Sequence, residues 1–479
     1  MFFCILTLEE QIQQLQLANM QLRNENAELR KRIMELESSL KAAIEKLNKN
    51  SNNSSKPPSA DIQRTKSMRT LSNKKAGGQV GHQGRTLEMS SQPDKITIHR
   101  PARCKCCGRD ISAIGSLCYE RRQVYDIPPL QVKIEEHRSL IVRCPHCNEQ
   151  NRETFPEEVK QPVQYGSNLK QLGVYLTQYQ LLPYERSVQL IEDLTGHRLS
   201  AATLVNINEN CSAQLTNFYE ELKDALRKEP VLHSDETGFY FAAKRNWLHV
   251  VASKNYTCYS THAKRGTDAT RSMNILPRYE GTLMHDYWKS YLHYQCKHVL
   301  CHAHHLRDLT FCNEQEKSQW AGSMKALLLE MKTVVDSSKE QGRQNLEATQ
   351  EQTLIGKYEQ LMRQGYCEHP LWEKEAGKRG VVKKSKTQNL LERFQRHKEE
   401  MVRFIKDFTI PFDNNIAEQA IRMMKVKQKV SGCFRSKNGA QCFAIIRSYI
   451  DTMRKGRYSI SDALKLAVLG KPIAIARLP

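Results

Sequence analysis

No stretch of the 479-residue chain approaches the roughly 20 consecutive apolar residues that a membrane helix needs, which argues against a helical membrane span. The apolar opening Met1-Phe2-Phe3-Cys4-Ile5-Leu6 is short and lacks the basic leader of a secretory signal. We therefore expect a soluble cytoplasmic protein. A disulfide framework is missing too. The 15 cysteines are odd in number, and ten stand singly, at 4, 118, 211, 258, 296, 301, 312, 367, 433 and 442. Secreted frameworks are dense and usually even, so these thiols are expected to be reduced. Acidic residues fall short of basic ones, 52 against 73, leaving a net charge of +21. An excess this large points to a polyanionic partner, most often nucleic acid. Apolar residues at 39% and charged residues at 26% exclude a wholly disordered chain. At about 100–200 residues per domain, the length predicts two to four domains.

Proline and glycine are absent from Leu8 to Asn48, so nothing there breaks a helix. Leu8, Leu15, Leu22, Leu29 and Leu36 recur every seven residues, and Ile12, Asn19, Asn26, Ile33 and Leu40 each follow a Leu by four. With Leu at d and the second set at a, residues 1–48 predict a parallel two-stranded coiled coil and hence self-association. Asn19 and Asn26 at a would fix register and strand number.

Residues 49–95 have linker chemistry, beginning with Ser51-Asn52-Asn53-Ser54-Ser55-Lys56-Pro57-Pro58-Ser59. A basic, glycine-rich run from Lys74 and Lys75 to Arg85 follows, with no strand before it to make a nucleotide loop. These basic residues are candidate contacts to a DNA backbone. Residues 96–155 hold Cys104-Lys105-Cys106-Cys107-Gly108 and Cys144-Pro145-His146-Cys147. Two Cys-x-x-Cys turns present four sulfurs, the donor set of a tetrahedral structural Zn²⁺, here Cys104, Cys107, Cys144 and Cys147. Cys106 leaves the first pair ambiguous, and His146 or Cys118 could substitute. Strands over Gln123–Ile127 and from Val132 to Val142 would make this module zinc-ribbon-like. Residues 160–227 read as helices, with Gly196 as a C-cap and Ser200 as the next N-cap. That is a helix-turn-helix pattern suited to binding DNA.

The texture changes at residue 228. Pro230 to Phe239 predicts a short strand delivering Asp235 at its end, Arg245 to Ser253 and Tyr256 to Ser260 extend a meander, and Gly281 to Trp288 brings Asp286. Far along the chain, Phe412 to Arg422 opens a helix carrying Glu418. Three carboxylates from two strands and a helix can hold hard divalent ions, two of them about 3.5–4 Å apart for phosphodiester chemistry. Spacing alone leaves open whether they meet, since a lone Asp at a strand end is more often a turn residue or cap.

In this order, the zipper, Asn53 to Ser59, Gly77-Gly78-Gln79-Val80-Gly81-His82-Gln83-Gly84, the cysteine turns, His233-Ser234-Asp235-Glu236-Thr237, His285-Asp286-Tyr287-Trp288, Cys301-His302-Ala303-His304 and Asp413 to Glu418 resemble the transposases of the insertion sequence 66 family of bacterial mobile elements. The resemblance implies a DDE enzyme with a multidomain α/β architecture. Its ribonuclease-H-like catalytic core spans residues 228–455, with a helical insertion at about 313–400 and a tail from 456 to 479. It implies Asp235, Asp286 and Glu418 as catalytic residues and ligands of two Mg²⁺ or Mn²⁺ ions, with Asp413 as the rival for the third place. It implies cleavage at element ends, attack of the freed 3′-hydroxyl on target DNA, small accessory proteins as partners, and association with the nucleoid. Arg422, Lys425 and Lys429 share a helix face, and Arg435 follows; we expect them to neutralise phosphates. His302, His304, His305 and Arg307 lie on a helix after Asp286. With Cys301 they could suggest a second zinc site, but packing and active-site neighbour roles are the preferred reading. The alternative for the whole chain is a catalytically inactive zinc and zipper DNA-binding regulator.

Overall fold

The computed structural model describes residues 8–50, 52–54, 86–241, 244–370 and 384–478. Helix α1 (Leu8–Leu47) is unbroken for 40 residues, as the absence of Pro and Gly permits. Its seam residues Leu15, Leu22, Leu29, Ile33, Leu36 and Leu40 all face solvent.

The chain after α1 departs from a simple linker. Asn53 is almost fully buried. Its Oδ1 accepts from the Asn50 N–H at 2.8 Å, and its Nδ2 donates to the Asn48 carbonyl at 3.0 Å and to Glu314 Oε2 at 3.3 Å. Asn48 reaches Gln315 at 2.7 Å, and Glu45 pairs with Lys386 at 3.0 Å. Short amide side chains satisfy turn backbones, and here they also dock the turn on the helical insertion. Lys74, Lys75 and Arg85 lie outside the described residues.

In the cysteine module, strands form only at β1 (Ile141–Arg143) and β2 (Gln150–Arg152), paired antiparallel around the second cysteine turn. The strand expected over Gln123–Ile127 is absent, and that from Val132 begins only at Ile141. Their side chains face solvent here, and without a covering layer apolar alternation has no face to bury. A glutamine does the joining instead: the amide of Gln123 exchanges two hydrogen bonds with the Ser90 backbone, at 2.7 and 2.8 Å.

Four helices follow: α2 (Ser167–Val174, continued by a π turn to Tyr179), α3 (Tyr184–Thr195), α4 (Ala201–Gln214) and α5 (Thr216–Arg227). Gly196 ends α3 at φ 69°, and the Ser200 hydroxyl caps α4 by accepting from the Thr203 N–H, so both expected caps are present. No Lys or Arg falls within α4.

The central sheet has five strands in the order β5-β4-β3-β6-β7. They are β3 (Val231–Phe241), β4 (Lys244–Ala252), β5 (Thr257–His262), β6 (Thr282–His285) and β7 (Lys297–Leu300). Strands β3, β4 and β5 form an antiparallel meander, while β6 and β7 run parallel to β3. Between β5 and β6 lies the short α6 (Thr267–Ser272). Helices α7 (His302–Gln315), α8 (Gln319–Glu340), α9 (Ala348–Glu368), α10 (Lys386–Arg396) and α11 (Lys398–Lys406) form the expected charged insertion. Leu327, Leu328 and Met331 lie in its own apolar core, which also takes in Met284 and Val299 of the sheet. Then α12 (Asn415–Ser431) and α13 (Lys437–Lys455) return to the sheet.

A second apolar core joins α2–α5 to Leu232, Val251, Cys258 and Leu283 of the sheet and to Ile446, Tyr449 and Ile450 of α13. The helices before residue 228 therefore share a core with the strands after it. Residues 456–479, expected as a tail, contain α14 (Ile460–Val468), whose Ala463, Leu464 and Ala467 are buried in the same core. Among the described residues no helix is long and apolar enough to cross a membrane.

Candidate active site and cysteine turns

Three elements present the acids. Asp235 lies in the middle of β3, opposite Val250, and not at the strand's end. The hairpin with β4 continues to the pair Phe241 and Lys244, and so carries the strand past it. Asp286 is the first residue beyond β6; its Oδ1 accepts from the Trp288 N–H at 3.1 Å. Glu418 occupies the first turn of α12. Asp413 accepts from the Asn415 N–H at 3.1 Å, a local turn that shapes the approach to α12 just before its N-cap, Asn414.

Asn414, 1% exposed, pins these elements together. Its Nδ2 donates to the Ser234 carbonyl at 2.8 Å, its Oδ1 lies 3.0 Å from His233 Nδ1, and its backbone N–H points at Cys301 Sγ at 3.2 Å. The start of α12 is thus fastened to β3 beside Asp235 and to the chain between β7 and α7. Burial pushes His233 down to about 4, so its ring is neutral at pH 7.

The acids feel one another. Burial holds the Asp235 carboxyl well above the usual range, and the charges of Glu236, Asp286 and Glu418 push it the same way. Asp286 is raised by burial and by Glu236, and partly relieved by His304 and Arg265. Glu236 is fully engaged: Oε1 accepts from Arg265 Nε at 2.8 Å and Oε2 from the Tyr291 hydroxyl at 2.5 Å. Arg265 in turn lies over the Trp288 ring at 3.7 Å and the Trp247 ring at 5.0 Å. Sequence reasoning missed Glu236, Arg265, Tyr291 and Asn414. Glu236 adjoins Asp235 and Asn414 falls inside the motif of Glu418, so both carried a signal. Arg265 and Tyr291 carried none, because only the fold brings them to the acids.

Arg422, Lys425 and Lys429 are exposed on α12, and Arg435 is exposed just beyond it. Lys425 Nζ also donates to the Gly238 carbonyl at 3.1 Å. Lys427 is different: it tucks against the rings of Phe434 and Phe443, and desolvation pulls it down to about 8. His302 and His305 are buried, His302 bonding the Met401 carbonyl and stacking on Phe412. His304 instead faces Glu418, with Nδ1 3.9 Å from Oε1.

The cysteine turns are each formed locally. Cys104 and Cys144 accept from the N–H groups of the two residues that close their own turns and pair with Cys107 and Cys147, which lowers both thiols. Gly108 and Asn148 complete the turns at φ 71° and 62°. Low thiol pKa and paired sulfurs suit Zn²⁺. Among the described residues, though, one group of three possible ligands has its donors within 4.8 Å of one another, and it is Cys301, His304 and Glu418. The two turns are preformed pairs not drawn to that separation.

Residues 163–442, more than half of the chain, match the family described as Transposase IS66 family. Residues 101–148 match the zinc-finger binding domain of transposase IS66, which supports a structural zinc, and residues 7–88 match a family of unknown function. An uncharacterized protein of Sinorhizobium fredii (strain NBRC 101917 / NGR234), y4qI, is 36% identical over 84 residues. That segment is 18% of this chain and 15% of the relative, so the chain spans only that small share of it.

Proposed function

The chain belongs to the transposase IS66 family, and on that footing we propose that it binds the ends of an insertion sequence, cuts the DNA there and joins the freed ends to a target. The observation that carries this reading is the convergence of Asp235, Asp286 and Glu418 from β3, the end of β6 and the start of α12. The sheet order, with an antiparallel meander on one side of β3 and parallel β6 and β7 on the other, supports a ribonuclease-H-like core.

The donor set fits hard divalent ions, because a buried carboxylate pushed up by neighbouring negative charges, as Asp235 is, gains most from a cation beside it. Two Mg²⁺ or Mn²⁺ ions, when bound, would supply positive charge at the attacking and leaving oxygens of the phosphodiester. Asp235, which both other acids push up, would hold the ions together with Asp286 and Glu418. Glu236 is given a positioning role, since each of its oxygens already accepts a hydrogen bond; it holds Arg265 beside the acids. The exposed Arg422, Lys425, Lys429 and Arg435 would bind backbone phosphates, placing the scissile bond over the acids. Zn²⁺ would draw the two cysteine turns together and fold the end-binding module. Pairing of two α1 helices would hold two element ends in one complex.

The test is strand transfer by the purified protein, with small accessory proteins added where the element encodes them. It uses labelled DNA carrying the element's ends, a target plasmid and Mg²⁺ or Mn²⁺. We expect metal-dependent joined product, and with Asp235→Asn normal end binding but product reduced by at least about a thousandfold. End binding with no cleavage would overturn the reading in favour of a DNA-binding regulator; cleavage without joining would favour a nuclease.

A further inference from the structure

Cys301, His304 and Glu418 gather their donor atoms more tightly than any other such group among the described residues. Cys301 is the N-cap of α7 and His304 lies in its first turn, so a spacing of three sets both on one helix face. Glu418 arrives from α12. Cys301 Sγ and His304 Nδ1 each stand 3.9 Å from Glu418 Oε1. His304 Nδ1 is shut off from solvent yet has no hydrogen-bond partner. A buried ring nitrogen left without a partner is costly, and here it is aimed at a thiol and a carboxylate. The Asn414 N–H on Cys301 Sγ is the kind of outer contact that orients a metal-bound sulfur.

A sulfur, an imidazole nitrogen and a carboxylate are the mixed donors of Zn²⁺, not of Mg²⁺. At Zn–ligand distances of about 2.0–2.3 Å, tetrahedral donors sit roughly 3.3–3.8 Å apart, so the two contacts to Glu418 need to contract by roughly half an ångström, and the Cys301–His304 pair, within 4.8 Å, by at most about 1.5 Å. We propose that Cys301, His304 and Glu418 form a second, inhibitory site for Zn²⁺ or a similar thiophilic cation, separate from the cysteine turns. Binding forms bonds from the ion to Cys301 Sγ, a His304 ring nitrogen and a Glu418 oxygen, and the thiol proton leaves to solvent. The fourth position stays open, because the His304 and Glu418 side chains remain 30% and 21% exposed. An ion held there occupies Glu418 and withdraws it from Asp235. The site itself stands on this geometry alone; the inhibition rests on the catalytic reading of Glu418.

The experiment counts zinc bound to the full-length protein by equilibrium dialysis at micromolar free Zn²⁺. Wild type should hold one ion more than His304→Ala or Cys301→Ser, or hold it at least tenfold more tightly. Cys144→Ser should lose the turn-bound ion and keep the second. His304 is partly exposed, so its variant tests the site even where Cys301→Ser fails to fold. In parallel, Zn²⁺ added at fixed Mg²⁺ should suppress strand cleavage, and His304→Ala should need at least ten times more. Equal zinc counts with equal affinities in wild type and His304→Ala would overturn the site. An extra ion that leaves cleavage unchanged would overturn its inhibitory role. A protein with no cleavage under any condition, yet with the extra ion, would sink the proposed function and leave the site standing.

Discussion

At the scale of single residues, the acids are held in a state that the fold alone does not favour. The carboxyls of Asp235 and Asp286 are raised above their ordinary values. The native chain therefore keeps protons that the unfolded chain has released, and its stability falls as pH rises from the ordinary carboxylate range, about pH 4, through the raised values. Buried His233 and His285, pushed down to about 4 and 3, act in the opposite sense and weaken the fold as pH falls below about 6.5. The difference between wild type and Asp235→Asn separates the two. In metal-free buffer the variant should melt higher, by an amount that grows with pH across that window, and Mg²⁺ should raise the melting temperature of wild type more than that of the variant. Equal curves at every pH would contradict the coupling. Asn414 gives a second residue-scale prediction. Asn414→Ala leaves the Ser234 carbonyl and the His233 ring without partners in a buried place, at about 1–3 kcal/mol each. We expect a destabilisation of about 2–6 kcal/mol by urea unfolding, and strand cleavage lost well beyond the loss of folded protein.

At the scale of elements, α1 has a seam that no described residue covers. Leu15, Leu22, Leu29 and Leu36 are all more than half exposed along a single helix 40 residues long. A helix of that length with a bare apolar stripe gains by pairing. Replacing Leu22 and Leu29 together by Lys should convert an associated form to a monomer in sedimentation, with the helical signal of α1 reduced; a wild-type monomer at micromolar concentration would refute the coiled coil. The helix-turn-helix pattern deserves a different weight. Its caps at Gly196 and Ser200 formed as the residue types required, yet α4 buries Leu204, Ile207 and Cys211 and carries no basic residue. Any cationic phosphate contacts of that region must come from neighbouring elements.

At the scale of the whole molecule, a net charge of +21 predicts binding to DNA that weakens steeply with salt, since each neutralised phosphate releases counterion. Removing Arg422, Lys425 and Lys429 together should reduce the slope of log K against log salt by about 2–3, measured by fluorescence anisotropy on element-end DNA; an unchanged slope would place the DNA elsewhere. Local chemistry along the chain was enough to determine the long N-terminal helix, the two cysteine turns, the caps of α3 and α4, the meander and the positions of three acids in their motifs. Each depends on backbone preference or on periodicity within a few residues, which the sequence expresses directly. Only the tertiary structure decided that Asp235 lies inside a strand, that α2–α5 and α14 share a core with the sheet, that Asn53 docks on the insertion, and that Asn414 staples α12 to β3. It alone set Arg265 and Tyr291 on Glu236, and His304 and Cys301 on Glu418. These contacts join residues far apart in the chain, 181 positions for His233 and Asn414 and 261 for Asn53 and Glu314. They are chosen by which apolar faces bury one another, and no local pattern records that choice.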